Sequence, residues 1–371
     1  MTNLYIGVLS GTSMDAIDAA LVLFNPGPTL VAAHALPIPC DLRAELISLS
    51  VPGPEELDRL GQMEVRLGRL IAEAVLALLA KAGVDPSAVR AIGSHGQTIR
   101  HRPGLPFPFT LQIGDPQVIA VETGIAVVAD FRRKDMALGG QGAPLVPAFH
   151  EAVFRQLGCD RVVVNIGGIA NLTVLPGNPA GIVTGFDTGP GNTLLDRWSQ
   201  RVLHEPMDRD GRLAASGQVH AALLAAFESD AYFRKPAPKS TGPEYFSMGW
   251  LQAHLDRVGR SVDDADVQAT LLALTARTIA DEIHRLPGLQ APEVFVCGGG
   301  ARNPELMRVL QQALPDCRVD RTEALEVPGP WVEAMAFAWL ARQRLEKKPG
   351  NLPAVTGARR SAVLGGLFLP D

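Results

Sequence analysis

Residues 162–192 read VVVNIGGIANLTVLPGNPAGIVTGFDTGPGN, and the fold is decided here. Val162, Val163 and Val164 are consecutive and β-branched, as in a strand buried on both faces. Gly167 and Gly168 then allow a sharp turn or the close approach of a ligand to the backbone. Residues 172–175 continue as a second strand and 182–186 as a third, with Asp187 at its end. Thr188, Gly189, Pro190 and Gly191 break the run. Asn192 is placed to cap a helix whose apolar residues Leu194, Leu195, Trp198 and Val202 keep the helical period. An acid at the carboxyl end of a strand, beside a helix N-terminus, is where α/β folds place chemistry. An Asp-Thr-Gly run also caps plain turns.

The chain begins in the same way. Residues 4–9 and 17–24 read as strands, and Ser10, Gly11, Thr12, Ser13, Met14 and Asp15 form a tight loop between them. Backbone N–H groups and hydroxyls in such a loop suit phosphate oxygens, and Asp15 suits a hydrated cation. The other reading is an ordinary hairpin turn. No Gly-Lys-Ser/Thr follows, so this is not a Walker loop. Two strand, glycine turn, strand segments, each followed by helices and more strands, predict an α/β fold of two repeated halves with phosphate turns facing across a cleft.

Further candidates stand at strand ends. Residues 89–93 lead into Ser94-His95-Gly96-Gln97-Thr98, a run of donors and acceptors suited to a sugar or a phosphate, or to a structural turn. Residues 127–130 lead into Phe131-Arg132-Arg133-Lys134-Asp135 and the loop Gly139-Gly140-Gln141-Gly142. An arginine fork matches a carboxylate, although charge runs also form solvated faces. The domain boundary is expected near Gly124. Helices are predicted over 55–81, 214–227, 267–286 and 331–344, with a proline-rich loop at 235–247. A strand over 294–296 runs into Gly298, Gly299 and Gly300, which let a flat ring or a ribose lie against the backbone. Glu333 sits in the first turn of its helix, where a site role competes with plain compensation of the helix dipole. The apolar tail, 349–371, is expected to return and pack on the first domain.

Composition bounds the rest. With 371 residues, 47% of them hydrophobic, two domains are the natural expectation. A net charge of −5 lacks the basic footprint of a nucleic-acid binder. Cys40, Cys159, Cys297 and Cys317 share no metal-ligand spacing, so neither a structural zinc nor a disulfide framework is expected. The opening MTNLYIGVLSG has no secretory pattern and no apolar run spans a membrane, so a cytoplasmic protein with no membrane partner is expected.

Taken in order, IGVLSGTSMDAID, GSHGQT, LQIGDP, VVADFRRKDMALGGQGAPLVP, NIGGIANLT, GFDTGPGN, VCGGGARN and EAMAFAWLA cover essentially the whole chain. In these the chain resembles the anhydro-N-acetylmuramic acid kinases of the sugar kinase, actin and heat-shock chaperone superfamily. Two positions depart from the family pattern: Ala16 stands where a Gly is usual, and Lys134 where a third Arg is common. The resemblance implies a two-domain actin-like, ribonuclease-H-like ATPase fold with an interdomain cleft that closes around ligand. The domains would be 1–124 with 349–371, and 125–348. It implies an ATP- and magnesium-dependent enzyme that opens the anhydro bridge of 1,6-anhydro-N-acetylmuramic acid and phosphorylates the freed oxygen, giving N-acetylmuramic acid 6-phosphate in cell-wall recycling. Asp187 would be the general base. ATP would be bound by Gly11, Thr12, Ser13, Met14, Asp15, Ala16, Ile17 and Asp18, by Gly167, Gly168 and Asn171, and by Gly298, Gly299 and Gly300. Asp15 would also serve the metal. His95, Gln97, Thr98 and Glu333 would contact the sugar, and Arg132 or Arg133 would pair with its lactyl carboxylate. A homodimer is implied as well. A kinase for another small molecule, a non-enzymatic nucleotide switch and a two-carboxylate glycoside hydrolase are the competing readings.

Overall fold

The computed structural model describes residues 3–11, 14–259, 261–289 and 291–371, so Thr12 and Ser13 of the first loop lie outside the described residues. The chain forms two compact units, Met1–Val153 with Trp331–Asp371, and Phe154–Pro330.

In the first unit, β1 (Leu4–Ser10), β2 (Ala16–Phe24) and β3 (Pro28–Pro37) form an antiparallel meander. Helices α1 (Cys40–Leu49) and α2 (Glu56–Ala82) follow. Next come β4 (Val89–Ser94), the hairpin β5 (Gln97–Arg102) and β6 (Phe109–Ile113), α3 (Pro116–Thr123) and β7 (Val127–Ala129). Then α4 (Arg132–Ala137) and α5 (Val146–Phe154) lead to the second unit. Leu67, Ile71, Val75 and Leu78 of α2 bury against Ile17, Ala19 and Leu21 of β2. That spacing is the amphipathic period that makes the segment helical, and Gly83 ends it in a left-handed cap.

The second unit repeats the plan. Strands β8 (Arg161–Ile166), β9 (Ile169–Leu175) and β10 (Thr184–Pro190) form the meander. Helices α6 (Asn192–Leu203), α7 (Arg212–Ser216), α8 (Ala221–Glu228), α9 (Met248–Val258) and α10 (Asp264–Arg285) come next. Strand β11 (Glu293–Cys297), α11 (Pro304–Ala313) and β12 (Val319–Arg321) complete it. The chain then returns to the first unit with α12 (Val332–Leu345), α13 (Pro353–Thr356) and β13 (Gly366–Phe368).

The sheet orders are β13-β7-β4-β1-β2-β3 and β10-β9-β8-β11-β12. Apart from the extra β13, each is a three-stranded meander whose first strand pairs in parallel with the fourth, and the fourth with the fifth. The echo in the sequence is therefore a repeated topology.

The boundaries differ from the expected ones. Residues 125–153 and α12 belong to the first unit, not the second. Packing explains it. A Cβ at Gly7 of β1 would run into the Ala334 carbonyl, and one at Gly93 of β4 into the Phe337 carbonyl, so α12 lies directly on that sheet. It is apolar all round because Ala334 through Ala341 are all buried. The tail does return, as β13 pairs antiparallel with β7. The helix expected over 214–227 is two. The chain breaks at Gly217, where a side chain would strike the Ala265 carbonyl, and His220 caps α8 by accepting from the Leu223 N–H at 3.2 Å. None of Cys40, Cys159, Cys297 and Cys317 is joined in a disulfide.

Candidate functional site

The first unit gathers charge at the carboxyl ends of β1 and β4. Arg132 opens α4 and donates from Nε and Nη2 to His95 Nε2, at 3.1 and 2.9 Å, and from Nη1 to the Gly142 carbonyl at 2.8 Å. His95 Nδ1 is 3.0 Å from the Gly96 carbonyl. The proton therefore sits on Nδ1, and the Nε2 lone pair faces the guanidinium. Burial against the Phe337 ring, 4.7 Å away, and the charge of Arg132 hold His95 well below its ordinary pKa, so the ring is neutral at pH 7. Burial also lowers Arg132, to about 10, with Glu333 and Asp135 acting the other way. Arg132 thus stays cationic while its hydrogen bonds go to neutral acceptors.

Asp135 supports this arrangement from below. It is fully buried. Its carboxylate accepts from Asn351 Nδ2 at 2.6 Å, the Thr356 hydroxyl at 2.7 Å and the Gly142 N–H at 2.8 Å. It ties the returning tail to the glycine loop whose Gly142 carbonyl holds Arg132. Sequence reasoning missed Asp135, Asn351 and Thr356, because the partners lie far apart along the chain.

Glu333 stands in the first turn of α12, where desolvation by the surrounding protein raises its pKa, Arg132 lowers it and Asp18 raises it. Glu333, Arg132 and Asp18 are thus electrostatic neighbours. Arg133 turns away, donating to Asp130 Oδ1 at 2.8 Å with its side chain 69% exposed. The other members of the HGQT run are engaged in their own surroundings. Gln97 is buried, with its Nε2 on the Thr98 carbonyl and its Oε1 without a partner, and the Thr98 hydroxyl accepts from Gln112 at 3.2 Å.

In the first turn, the Met14 N–H closes on the Gly11 carbonyl at 3.0 Å. Met14, at φ +54°, buries its side chain in the core, as does Ile17. Neither side chain is therefore turned to the surface. Ala16 lies in β2 with extended backbone, so the usual Gly is not required there. Asp15 is exposed and pairs with Arg43 at 2.9 Å. Among the described residues, a Cβ on Gly11 would meet nothing within 4 Å. That fits close approach of a phosphate. Among the described residues no group of three His, Cys, Asp or Glu could hold a metal.

The second unit gathers its candidates on one sheet edge. Asp187, Asn171 and Asn165 are cross-strand neighbours on β10, β9 and β8, so they form one polar row. Asn165 was not anticipated; it follows the buried Val162–Val164 run as the first half-buried position. Asp187 lies within β10, at an irregularity before Gly189, and not at the strand's end, because the ladder resumes at Gly189 and Pro190. Asn192 does not cap α6 with its side chain. Gly191 is the cap residue, the Asn192 N–H goes to the Gly167 carbonyl at 2.8 Å, and its Nδ2 to the Ile166 carbonyl at 3.1 Å. Gly298, at φ +79°, sits where a side chain would strike Asn165 and Ile166, and Cβ atoms on Gly299 and Gly300 would each lie 3.3 Å from Asn192. The Gly167–Gly168 turn, Asn192 and the triple glycine are therefore brought together.

Asp187 is held by main chain. Its Oδ2 accepts from the Thr241 N–H at 3.0 Å, its N–H donates to the Lys239 carbonyl at 3.0 Å, and its carbonyl accepts from the Tyr232 hydroxyl at 2.8 Å. Burial raises its pKa to about 6 against the Thr241 bond. Beside it opens a recess of about 400 Å³ lined by Tyr232, Lys235, Ser240, Thr241 and Tyr245 among others. The proline-rich loop, read only as a connection in the sequence, supplies most of that lining.

Two units of this repeated topology, each with a glycine turn after its first strand, define the actin-like, ribonuclease-H-like ATPase class. A profile of the anhydro-N-acetylmuramic acid kinase family matches residues 3–370. The anhydro-N-acetylmuramic acid kinase of Shewanella amazonensis is 55% identical over 367 residues, 99% of this chain and 98% of that one. That of Coxiella burnetii is 52% identical over 364 residues, 98% and 97% of the two chains. The chain belongs to the anhydro-N-acetylmuramic acid kinase family. Among solved structures, an activator of the 2-hydroxyisocaproyl-CoA dehydratase from Clostridium difficile with bound ADPNP is similar at TM-score 0.46 and 13% identity, over 92% of this chain and 97% of that one.

Proposed function

We propose that this ATP-dependent sugar kinase performs its family's reaction with Asp187 as the general base. The observation that carries the reading is the carboxylate itself: half-buried, with a pKa of about 6, one oxygen covered by the Thr241 N–H and the other left to act. A base with a pKa just below the working pH is ionised and still takes a proton effectively. Asp187 draws a proton from a water that attacks the anomeric carbon of 1,6-anhydro-N-acetylmuramic acid. The bond from that carbon to the bridging oxygen breaks. The oxygen attacks the γ-phosphate of ATP in line, and ADP leaves. The product is N-acetylmuramic acid 6-phosphate, a product of cell-wall recycling. The phosphoryl group takes up the charge the leaving oxygen would otherwise carry, so catalysis is positioning and charge neutralisation.

Arg132 pairs with the lactyl carboxylate of the sugar. Its cationic charge and neutral acceptors support this, as does the fork geometry of guanidinium. His95 acts through Arg132 and not by its own contact, since both ring nitrogens are engaged. Gln97 offers its open Oε1, and Thr98 and Glu333 line the sugar. Gly11, Thr12, Ser13 and the backbone of 14–18 take phosphates, as do Gly167, Gly168 and Asn171, and Gly298, Gly299 and Gly300 face the adenosine. Asp15 would hold magnesium, which would neutralise phosphate charge. The enzyme works as a cytoplasmic homodimer; among the described residues no helix is long and apolar enough to cross a membrane.

The test is turnover of the sugar with ATP and magnesium in oxygen-18 water, for wild type and Asp187→Asn. One heavy oxygen at the anomeric position together with phosphate, and loss of turnover in the variant with ATP binding kept, supports the reading. Phosphorylation without heavy oxygen means that Asp187 deprotonates a sugar hydroxyl as in an ordinary kinase.

A further inference from the structure

One buried charge in the second unit has no part in the reaction as described. Residues 234–238 and Ser240 are exposed, but Lys239 turns inward, its side chain only 2% exposed. Its Nζ lies 2.8 Å from Glu282 Oε1 on α10 and 4.9 Å from the centre of the Tyr232 ring. The same Glu282 oxygen accepts from Arg285 at 2.9 Å. Burying an ion pair costs desolvation that apolar side chains of equal volume would avoid, so stability alone gives little reason for it. What such a pair supplies is one fixed arrangement. Here the arrangement converges on a single residue. The Lys239 carbonyl accepts the Asp187 N–H, the hydroxyl of Tyr232, whose ring lies under the Lys239 ammonium, donates to the Asp187 carbonyl, and Thr241, two residues on, donates its N–H to Asp187 Oδ2.

We propose that the Lys239–Glu282 pair is a positioning device for the base: it pins the 235–247 segment so that the Thr241 N–H covers one oxygen of Asp187 and leaves the other to take the proton. This rests on the reading of Asp187 as the base. Tyr232 couples electrostatically to both Asp187 and Glu282, Lys239 lies over its ring, and Lys235, Glu244 and Tyr245 line the recess beside Asp187. Thr241 lowers the Asp187 pKa, so loosening the segment moves that pKa upward.

The experiment compares wild type, Lys239→Met, Lys239→Arg and the double variant Lys239→Met/Glu282→Met. It uses the full chain with ATP, magnesium and the anhydro sugar. Circular dichroism confirms folding, and the double variant leaves no orphaned charge from the pair, so it carries the test if Lys239→Met alone unfolds. Expected are a KM for ATP within about twofold of wild type, kcat lower by about 10- to 100-fold, and an acid limb of kcat moved to higher pH, with partial recovery in Lys239→Arg. A folded double variant with the wild-type acid limb overturns the proposal, whatever its kcat, because general loosening does not retune a base. Wild-type turnover in Asp187→Asn overturns the underlying reading instead, and is seen without any Lys239 variant.

Discussion

Arg132 and Asp187 lie in units of the same strand order, yet their surroundings are built in opposite ways. Arg132 is held by the His95 side chain and the Gly142 carbonyl, from separate segments, with carboxylates at hand to balance it. Asp187 is a lone carboxyl held by backbone N–H and C=O groups and a phenol, and no charged side chain is a cause of its shift. The strand positions make the contrast sharper. Asp18 pairs with Leu9 one residue before the end of β1, as Asn171 pairs with Asn165 before the end of β8. So the repeated frame carries an acid on one side and an amide on the other. A balanced cation suits the grip of an anionic substrate group. A carboxyl with desolvation but no counter-charge suits proton transfer. On the proposed roles, one fold used twice would separate binding from chemistry.

The largest effect expected is at the lone carboxyl. Asp187→Asn keeps the Thr241 bond, because an amide oxygen still accepts, but removes the base. We expect kcat to fall by about 10³-fold or more with ATP affinity unchanged. A loss shared equally by KM for the sugar would instead place Asp187 among the binding groups and erase the contrast.

The balanced cation should fail in the other parameter. Arg132→Met removes the charge while keeping a long side chain. The expected outcome is a rise of about 100-fold in KM for the sugar, against a small change in KM for ATP. Inhibition by simple carboxylates, competitive with sugar in wild type, should vanish. A variant that loses kcat alone would break the division between the units.

His95 gives a smaller, indirect effect. His95→Phe preserves a ring against Phe337 but removes the acceptor that holds Arg132. KM for the sugar should rise about tenfold, with kcat nearly kept, since a misplaced guanidinium still carries its charge. Unchanged kinetics would mean that the Gly142 carbonyl alone orients Arg132.

What the sequence made legible was local. Val162–Val164, the paired glycines and the period of α2 each declare themselves within a few residues, and so the repeated strand and turn pattern and the returning tail could be read. What it concealed depends on partners far along the chain. Asp135 meets Asn351 and Thr356 at separations of 216 and 221 residues, and Lys239 meets Glu282 at 43. Met14 and Ile17 belong to a motif but point into the core, since a motif records which residues recur and not which way they face. The domain boundary moved for a like reason: α12 is apolar on every side, and only the glycines of β1 and β4 say which sheet it covers.

The smallest effect is on stability, and it tests the surroundings of Asp187 without any substrate. Its folded pKa, about 6, lies above the ordinary carboxylate value of 3.8. The folded state therefore binds more protons than the unfolded state between these values, and stability falls as pH rises from about 4 to about 6. Above that range the ionised carboxyl is a standing penalty, and below it there is none. Asp187→Asn removes the penalty and retains the acceptor for Thr241. The shift corresponds to at most about 3 kcal/mol, and solvent access to a half-buried group reduces it to about 1–2 kcal/mol. The variant's melting temperature should exceed that of wild type by a few degrees at pH 7.5 and match it at pH 4. Equal melting temperatures at both values would mean that a counter-charge reaches Asp187, and the two units would then hold their charges in the same way.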